Sequence, residues 1–251
     1  MKIDIVIPVY NEGSNICSVL ESFRRELQVP YRILICYDSE EDNTLVALGQ
    51  LSPKEYCYEL VRNEGRGVLD AVRAGLRYST ASHIVTYPAD DDYNSSRLNA
   101  MASEAAVGCD IVCASRFMRG GCMVGCPWLK AFLVRTAAFL LYHAARLPTH
   151  DPTNGLRLFS RRVIEQIPIE SEFGWAFSLE WLVKAHRLGW RIAELPAEWH
   201  ERRAGKSRFR ILRWLPQYLK WFFYGCSTTF LRRSSRTVML KTEGDALRAT
   251  L

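Results

Sequence analysis

Hydrophobic and polar positions follow two periods along the first 115 residues. Short runs that are almost wholly apolar, at residues 3–8, 32–37, 56–61, 82–87 and 110–115, predict five buried strands. Between them apolar residues recur at steps of three and four. Ile16, Val19, Leu20, Phe23 and Leu27 share one helix face across residues 12–27, and Val68, Leu69, Val72 and Leu76 share another across 65–78. A further helix is expected near residues 43–51. Apolar strands separated by helices imply an α/β fold with a mostly parallel sheet covered on both faces.

After Arg116 the pattern changes. A loop rich in Gly and Cys (residues 120–127) leads to an apolar helix over 128–147. Then come a turn at Asp151-Pro152, a short strand over 156–159 and a helix over 175–188. A hairpin-like pair is expected at 191–195 and 197–201, and an aromatic helix at 209–223. No repeat or linker interrupts the chain. The expected organisation is one α/β domain over 1–210, an amphipathic, membrane-interfacial helix over 211–233 and a polar tail over 234–251.

The 251 residues are 48% apolar, enough for a large core. The net charge of +6 is unevenly placed. Residues 202–236 carry many Arg and Lys and no acid, which suggests an anionic partner. The segment has no helix-turn-helix or RNA-binding signature, so nucleic acid is not the expected partner. The eight cysteines include Cys109/Cys113 and Cys122/Cys126, each four apart. Neither pair has the two-residue spacing or nearby His of a zinc site, so reduced thiols are expected. The chain opens on a strand, with no signal peptide expected, and no window of 18 residues is continuously apolar.

The chemistry concentrates where the fourth strand ends, in Tyr87-Pro88-Ala89-Asp90-Asp91-Asp92. Adjacent carboxylates repel one another unless a cation answers them. In open α/β sheets, ligands sit at the carboxyl ends of strands. Hard oxygen donors there suit Mg²⁺ or Mn²⁺ holding a diphosphate. The plainer reading is a solvated turn that caps the next helix.

The order of further motifs resembles inverting family-2 glycosyltransferases of the GT-A fold, especially enzymes similar to dolichol-phosphate (polyprenol-phosphate) mannose synthase. Ile7-Pro8-Val9-Tyr10-Asn11-Glu12 is similar to the family's opening, and Arg62-Asn63-Glu64-Gly65-Arg66-Gly67 to its Asn-x-Gly-x-Gly loop. The resemblance implies a nucleotide-sugar donor pocket built from Pro8, Tyr10, Glu12, Asp38, Asn63, Gly65 and Gly67. Asp38 would accept hydrogen bonds from the base or ribose. Asp42, just after it, reads equally as a helix N-cap. Asp90 and Asp92 stand at the family's Asp-x-Asp motif as the implied metal ligands. Pro88 replaces its first acid, and Asp91 either compensates or is solvated.

Ser115-Arg116-Phe117 with Gly120-Gly121 resembles the family's Ser-Arg-Tyr and Gly-Gly, and Asp151-Pro152-Thr153-Asn154-Gly155 its Asp-Pro-x-Ser-Gly. The resemblance implies an acceptor site from Arg116, Lys130, Asp151 and Arg208. Arg202-x-x-Gly205-x-Ser207-Arg208 resembles a late basic motif, in which Arg202 and Ser207 would grip the donor diphosphate. The expected reaction displaces a nucleoside diphosphate from a sugar with inversion, the metal and Arg202 answering the developing charge. The donor is GDP-mannose or a UDP-sugar. A polyprenyl phosphate acceptor is already anionic. A glycan hydroxyl needs a general base, for which Glu180 is the candidate. A sugar-nucleotide binder without turnover is the remaining alternative. Aromatic, basic helices imply a place on the cytoplasmic face of a membrane, peripherally or with a membrane protein partner.

Overall fold

The computed structural model describes residues 2–201 and 211–241, side chains excepted at 211–213. The first half runs β1 (Ile3–Pro8), α1 (Asn15–Glu26), β2 (Tyr31–Tyr37), α2 (Asn43–Leu48), α3 (Pro53–Tyr56), β3 (Tyr58–Arg62), α4 (Val68–Tyr78), β4 (His83–Thr86), α5 (Arg97–Ala106) and β5 (Ile111–Ser115). The second continues with β6 (Cys122–Val124), α6 (Trp128–His143), β7 (Arg157–Ser160), α7 (Arg161–Gln166), α8 (Ala176–Leu188), β8 (Ile192–Pro196), β9 (Glu198–His200) and α9 (Ile211–Phe230).

Seven strands form one sheet in the order β3-β2-β1-β4-β7-β5-β8. All neighbours are parallel except β7, which runs antiparallel between β4 and β5. The α/β class follows from burial on both faces. Along β1, Ile5 and Ile7 pack with Ile16, Val19 and Phe23 of α1, whereas Val6 joins Leu69 and Val72 of α4 on the opposite side. Each fully buried side chain of this size contributes roughly 1.5–3 kcal/mol.

Close approach of α4 to the sheet depends on Gly75. A Cβ there would lie 2.6 Å from Cγ1 of Val6 and 2.8 Å from the Cys36 sulfur. At the amino ends of the strands, buried Asp4 meets Arg32 Nη2 at 2.7 Å and the Ser79 hydroxyl at 2.6 Å.

The expected hairpin at 191–201 does not form. β8 pairs in parallel with β5, and β9 pairs in parallel with β6 in a separate two-stranded sheet. Only Ala197 separates β8 from β9. The commonest tight hairpins need two loop residues, usually with positive φ, so the chain passes from one sheet to the other instead. The sequence reading also overlooked α5, whose Leu98, Met101, Ala102 and Ala105 are buried at helical spacing.

The C-terminal helix α9 packs on the domain. Trp221 is buried and donates to the Ser171 hydroxyl at 2.9 Å, and Lys220 reaches Glu170 at 3.2 Å. Leu215, Leu219 and Phe223 remain exposed on its other side. Among the described residues no helix is long and apolar enough to cross a membrane.

Gly75→Ala forces α4 away from β1 and β2. The expected loss is about 1–3 kcal/mol, seen as a lower urea midpoint with an unchanged slope.

Candidate active site

The loops that leave the carboxyl ends of β1, β2, β3 and β4 meet on one edge of the sheet. After β1, the backbone N–H of Asn11 donates to both oxygens of Asp42, at 2.9 and 3.0 Å. Asp42 also accepts from Thr44 N at 2.8 Å, capping α2, while Glu12 N donates to the Thr44 hydroxyl at 2.9 Å. Buried Asp42 is therefore the bracket that holds the Pro8–Glu12 loop against the start of α2. Tyr10 projects from that loop, half-exposed.

Asp38 follows β2. One carboxylate oxygen accepts from Asn63 Nδ2 and the other from Gly67 N, both at 2.7 Å. Asn63 in turn accepts from Gly65 N at 3.0 Å. Gly67 has φ +87°, a conformation that disfavours a side chain, and is the N-cap of α4. Asp38, Asn63, Gly65 and Gly67 are thus one hydrogen-bonded unit. Each Asp38 oxygen retains a second lone pair that a sugar or base N–H or O–H can use.

The acidic loop after β4 is sorted by its own geometry. Asp91 turns into the loop and accepts from Tyr93 N at 3.2 Å, Asn94 N at 3.1 Å and Asn94 Nδ2 at 2.7 Å. Burial pushes its carboxyl up to about 6, against the pull of those hydrogen bonds. These hydrogen bonds make Asp91 the organiser of the turn. That arrangement leaves its neighbours Asp90 and Asp92 as the candidate metal ligands, both half-buried.

Asn94 was not foreseen as a site residue, although its place three after Asp91 is the spacing of a side-chain turn. It is buried and ties β9 to the acidic loop twice, donating to Glu198 O at 2.8 Å and accepting from Glu198 N at 2.9 Å. The His200 ring stacks on Tyr93 at 4.1 Å. Lys130 on α6 also faces β9, with its ammonium 4.8 Å from the Trp199 ring centre.

Arg116 and Asp151, both expected at the acceptor site, are paired with each other. The Arg116 fork is already occupied: Nε and Nη2 donate to Asp151 at 2.6 and 2.9 Å, and Nη2 also reaches Thr153. Asp151 has no exposed surface, so it cannot lie open beside an acceptor. Burial opposes its charge, but Arg116 outweighs burial and holds the carboxyl below the usual range. The pair clamps the end of β5 to the loop before β7.

Glu180 is also displaced from its expected role. It is fully buried and accepts from Glu170 N, Ser171 N, the Ser171 hydroxyl and the Lys184 ammonium, at 2.7–2.9 Å. These contacts make it a structural hub under α9, not a base facing substrate. Arg157 was missed, although a lone cation in an apolar strand is a signal. It is fully buried opposite Thr86 of β4, donates to the carbonyls of Ser178 and Pro152, and has no carboxylate partner among the described residues. Arg202, Ser207 and Arg208 lie outside the described residues.

A family model described as Glycosyl transferase family 2 matches residues 4–168. The chain is 24% identical over 232 residues to dolichol-phosphate mannosyltransferase of Pyrococcus furiosus, covering 88% of this chain and 64% of that protein. It is 25% identical over 211 residues to polyprenol monophosphomannose synthase of Mycolicibacterium smegmatis, covering 81% of this chain and 79% of the relative. Among solved structures, glucosyl-3-phosphoglycerate synthase from Mycobacterium tuberculosis, in complex with Mn²⁺, UDP and glucosyl-3-phosphoglycerate, superposes with a TM-score of 0.67 at 17% identity. That match covers 90% of this chain and 80% of the other. The shared fold is that of GT-A glycosyltransferases.

Asp151→Asn leaves Arg116 buried without its counter-charge, at an expected cost of about 3–5 kcal/mol at neutral pH. Because the folded carboxyl titrates below its ordinary value of 3.8, that contribution is complete above this pH. It fades only as pH falls through the folded value. Denaturant titration across pH therefore shows the wild-type advantage at pH 7 shrinking in strong acid. Glu180→Gln is expected to lower the melting temperature but to leave the pH profile of turnover in place.

Proposed function

The chain belongs to glycosyl transferase family 2 and is a glycosyltransferase, and from that premise we propose that it transfers a sugar from a nucleoside-diphosphate donor to a polyprenyl phosphate. The observation that carries this reading is the alignment of donor elements along one sheet edge. The Asp38–Asn63–Gly67 unit follows β2 and β3 and the Asp90–Asp92 loop follows β4, parallel strands that end on the same edge with β1 between β2 and β4. The relatives named as mannosyltransferases favour GDP-mannose, whereas the solved structures with UDP keep UDP-sugars in play.

Asp90 and Asp92 offer hard oxygen donors on alternate residues, which fits Mg²⁺ or Mn²⁺. When bound, such an ion neutralises charge on the leaving diphosphate. Asp38 and Asn63 orient the nucleoside. Buried Arg157, with no carboxylate to cancel it among the described residues, adds positive potential behind the acidic loop. β9 brings the chain to Glu201, from which Arg202 and Ser207 follow; they are assigned to the diphosphate on their motif alone.

In the reaction, an acceptor oxygen bonds to the anomeric carbon as the bond to the nucleoside diphosphate breaks. The diphosphate leaves with the electron pair. A phosphate acceptor is anionic at neutral pH and gives up no proton. A hydroxyl acceptor needs a base. The base foreseen for it, Glu180, is saturated inside the core, and this favours the phosphate. Lys130 remains the acceptor-side cation. Arg116 contributes through its clamp on Asp151.

The acceptor's lipid character fits the surface. On α6, Trp128, Leu129, Phe132 and Phe139 are exposed, Trp128 by 78%. Leu219 and Phe223 of α9 are exposed too, and Arg232, Arg233 and Arg236 follow the helix. Aromatic and basic side chains together suit the cytoplasmic face of an anionic membrane, peripherally or beside a membrane protein.

The first test is sugar transfer with Mn²⁺ from GDP- and UDP-sugars to undecaprenyl or dolichyl phosphate. One donor should be used, and chelation or Asp90→Ala should reduce turnover by about 10²–10³-fold. Transfer to a soluble sugar hydroxyl, with none to lipid phosphate, would sink the acceptor assignment. Binding of a donor without turnover on any acceptor would leave a sugar-nucleotide binder.

The membrane reading has its own test. Trp128→Ala with Phe132→Ala should weaken co-sedimentation with phosphatidylserine-containing vesicles by about tenfold or more, in line with roughly 25 cal/mol per Å² of apolar area withdrawn from water. Equal sedimentation of the wild type and the double variant would count against this face.

A further inference from the structure

Strands β6 and β9 are three residues each and, among the described residues, pair only with one another. A two-stranded sheet of this size is marginal without further support. The register places Cys122 opposite Glu198. His200 lies two residues beyond Glu198, on the same face of the strand. As a result the Cys122 sulfur, a Glu198 carboxylate oxygen and an imidazole nitrogen of His200 lie within 4.8 Å of one another, all on half-buried residues. Nε2 of His200 is already 3.1 Å from Oε2 of Glu198.

We propose that Cys122, Glu198 and His200 bind a zinc-class divalent cation, with a donor set unlike that of the oxygen pair Asp90 and Asp92. A thiolate, an imidazole and one carboxylate are the donor set of a borderline-soft ion, whereas two carboxylates favour a hard one. Bonds of about 2.0–2.3 Å in tetrahedral geometry set ligand atoms roughly 3.3–3.7 Å apart, so a side-chain adjustment of about an ångström closes the trio around an ion. Binding takes the thiol proton of Cys122 and displaces any proton held between His200 and Glu198, releasing both to solvent. Three protein ligands leave a fourth position for water.

The ion staples β6 to β9. Its effect reaches further, because β9 carries both hydrogen bonds to Asn94 and the His200–Tyr93 stack. The site therefore fixes the acidic loop from outside, independently of whichever sugar nucleotide the protein uses.

The test uses the full chain, stripped with chelator and titrated with Co²⁺ as a spectroscopic probe. The expected result is a thiolate-to-cobalt charge-transfer band that Zn²⁺ displaces at one equivalent. Cys122→Ser and His200→Gln should each weaken zinc binding by at least about tenfold, whereas Asp90→Ala retains the band. Absence of the band in the wild type, or a band that survives Cys122→Ser and vanishes in Cys126→Ser, overturns the proposal. If Cys122→Ser fails to fold by circular dichroism, alkylation of the wild type decides. Zinc should slow modification of Cys122 but not of exposed Cys57. Equal rates at Cys122 with and without zinc overturn the assignment.

Discussion

Burial of the central strands on both faces is the constraint from which the rest follows. Ile3, Ile5, Val6 and Ile7 of β1 have no exposed surface, and α1 and α4 cover opposite sides of the sheet. Such a sheet has no open face on which to place a ligand. Polar side chains can meet one only where strands end, and in parallel strands the carboxyl ends lie together. Asp38, Asn63 and the acidic loop come from different strands, yet this geometry delivers them to one edge. Gly75 belongs to the same constraint, because it lets α4 seal the sheet behind that edge.

Carboxylates then divide by what answers their charge. Asp42 is used by backbone N–H groups, Asp91 by its own turn, Asp151 by Arg116, and Glu180 by Lys184 and two backbone amides. Each is an acid whose lone pairs the fold has consumed. A buried ion pair such as Arg116–Asp151 need not add much net stability, but removing one partner is costly, so the pair fixes geometry. Asp38 differs in degree: its two hydrogen bonds order the Gly65–Gly67 loop and leave each oxygen a second lone pair.

The sequence made the strands legible because their apolar runs bear directly on burial. The loop at Asn63–Gly67 and the acidic turn were legible as local features, because a few neighbouring residues carry the turn chemistry. The partners of Arg116 and Glu180 were not legible, for a physical reason. Charge type is written in the sequence, but the partner that neutralises it comes from another element, Asp151 in one case and Lys184 with Ser171 in the other. The hairpin expected at 191–201 failed likewise. Two adjacent β runs do not reveal whether they pair with each other, and here β5 and β6 claimed them. Helix α5 was readable from its own spacing and was simply passed over.

The cysteine spacing shows the same limit from the other side. Cys122 and Cys126 look unconvincing as a local metal motif, since no His stands nearby in the chain. The parallel register of β6 and β9 supplies one from far along the sequence, together with a carboxylate. Asn94 ties β9 of that small sheet to the acidic loop through both the nitrogen and the oxygen of its side-chain amide. A side chain that only completes a turn would need neither of those bonds. Asn94 makes both while also answering Asp91, so the position of the acidic loop and that of the small sheet are mechanically one variable. Any ligand that stiffens one of them therefore stiffens the other, and the loop bearing Asp90 and Asp92 is positioned from the sheet's carboxyl edge and from β9 at once.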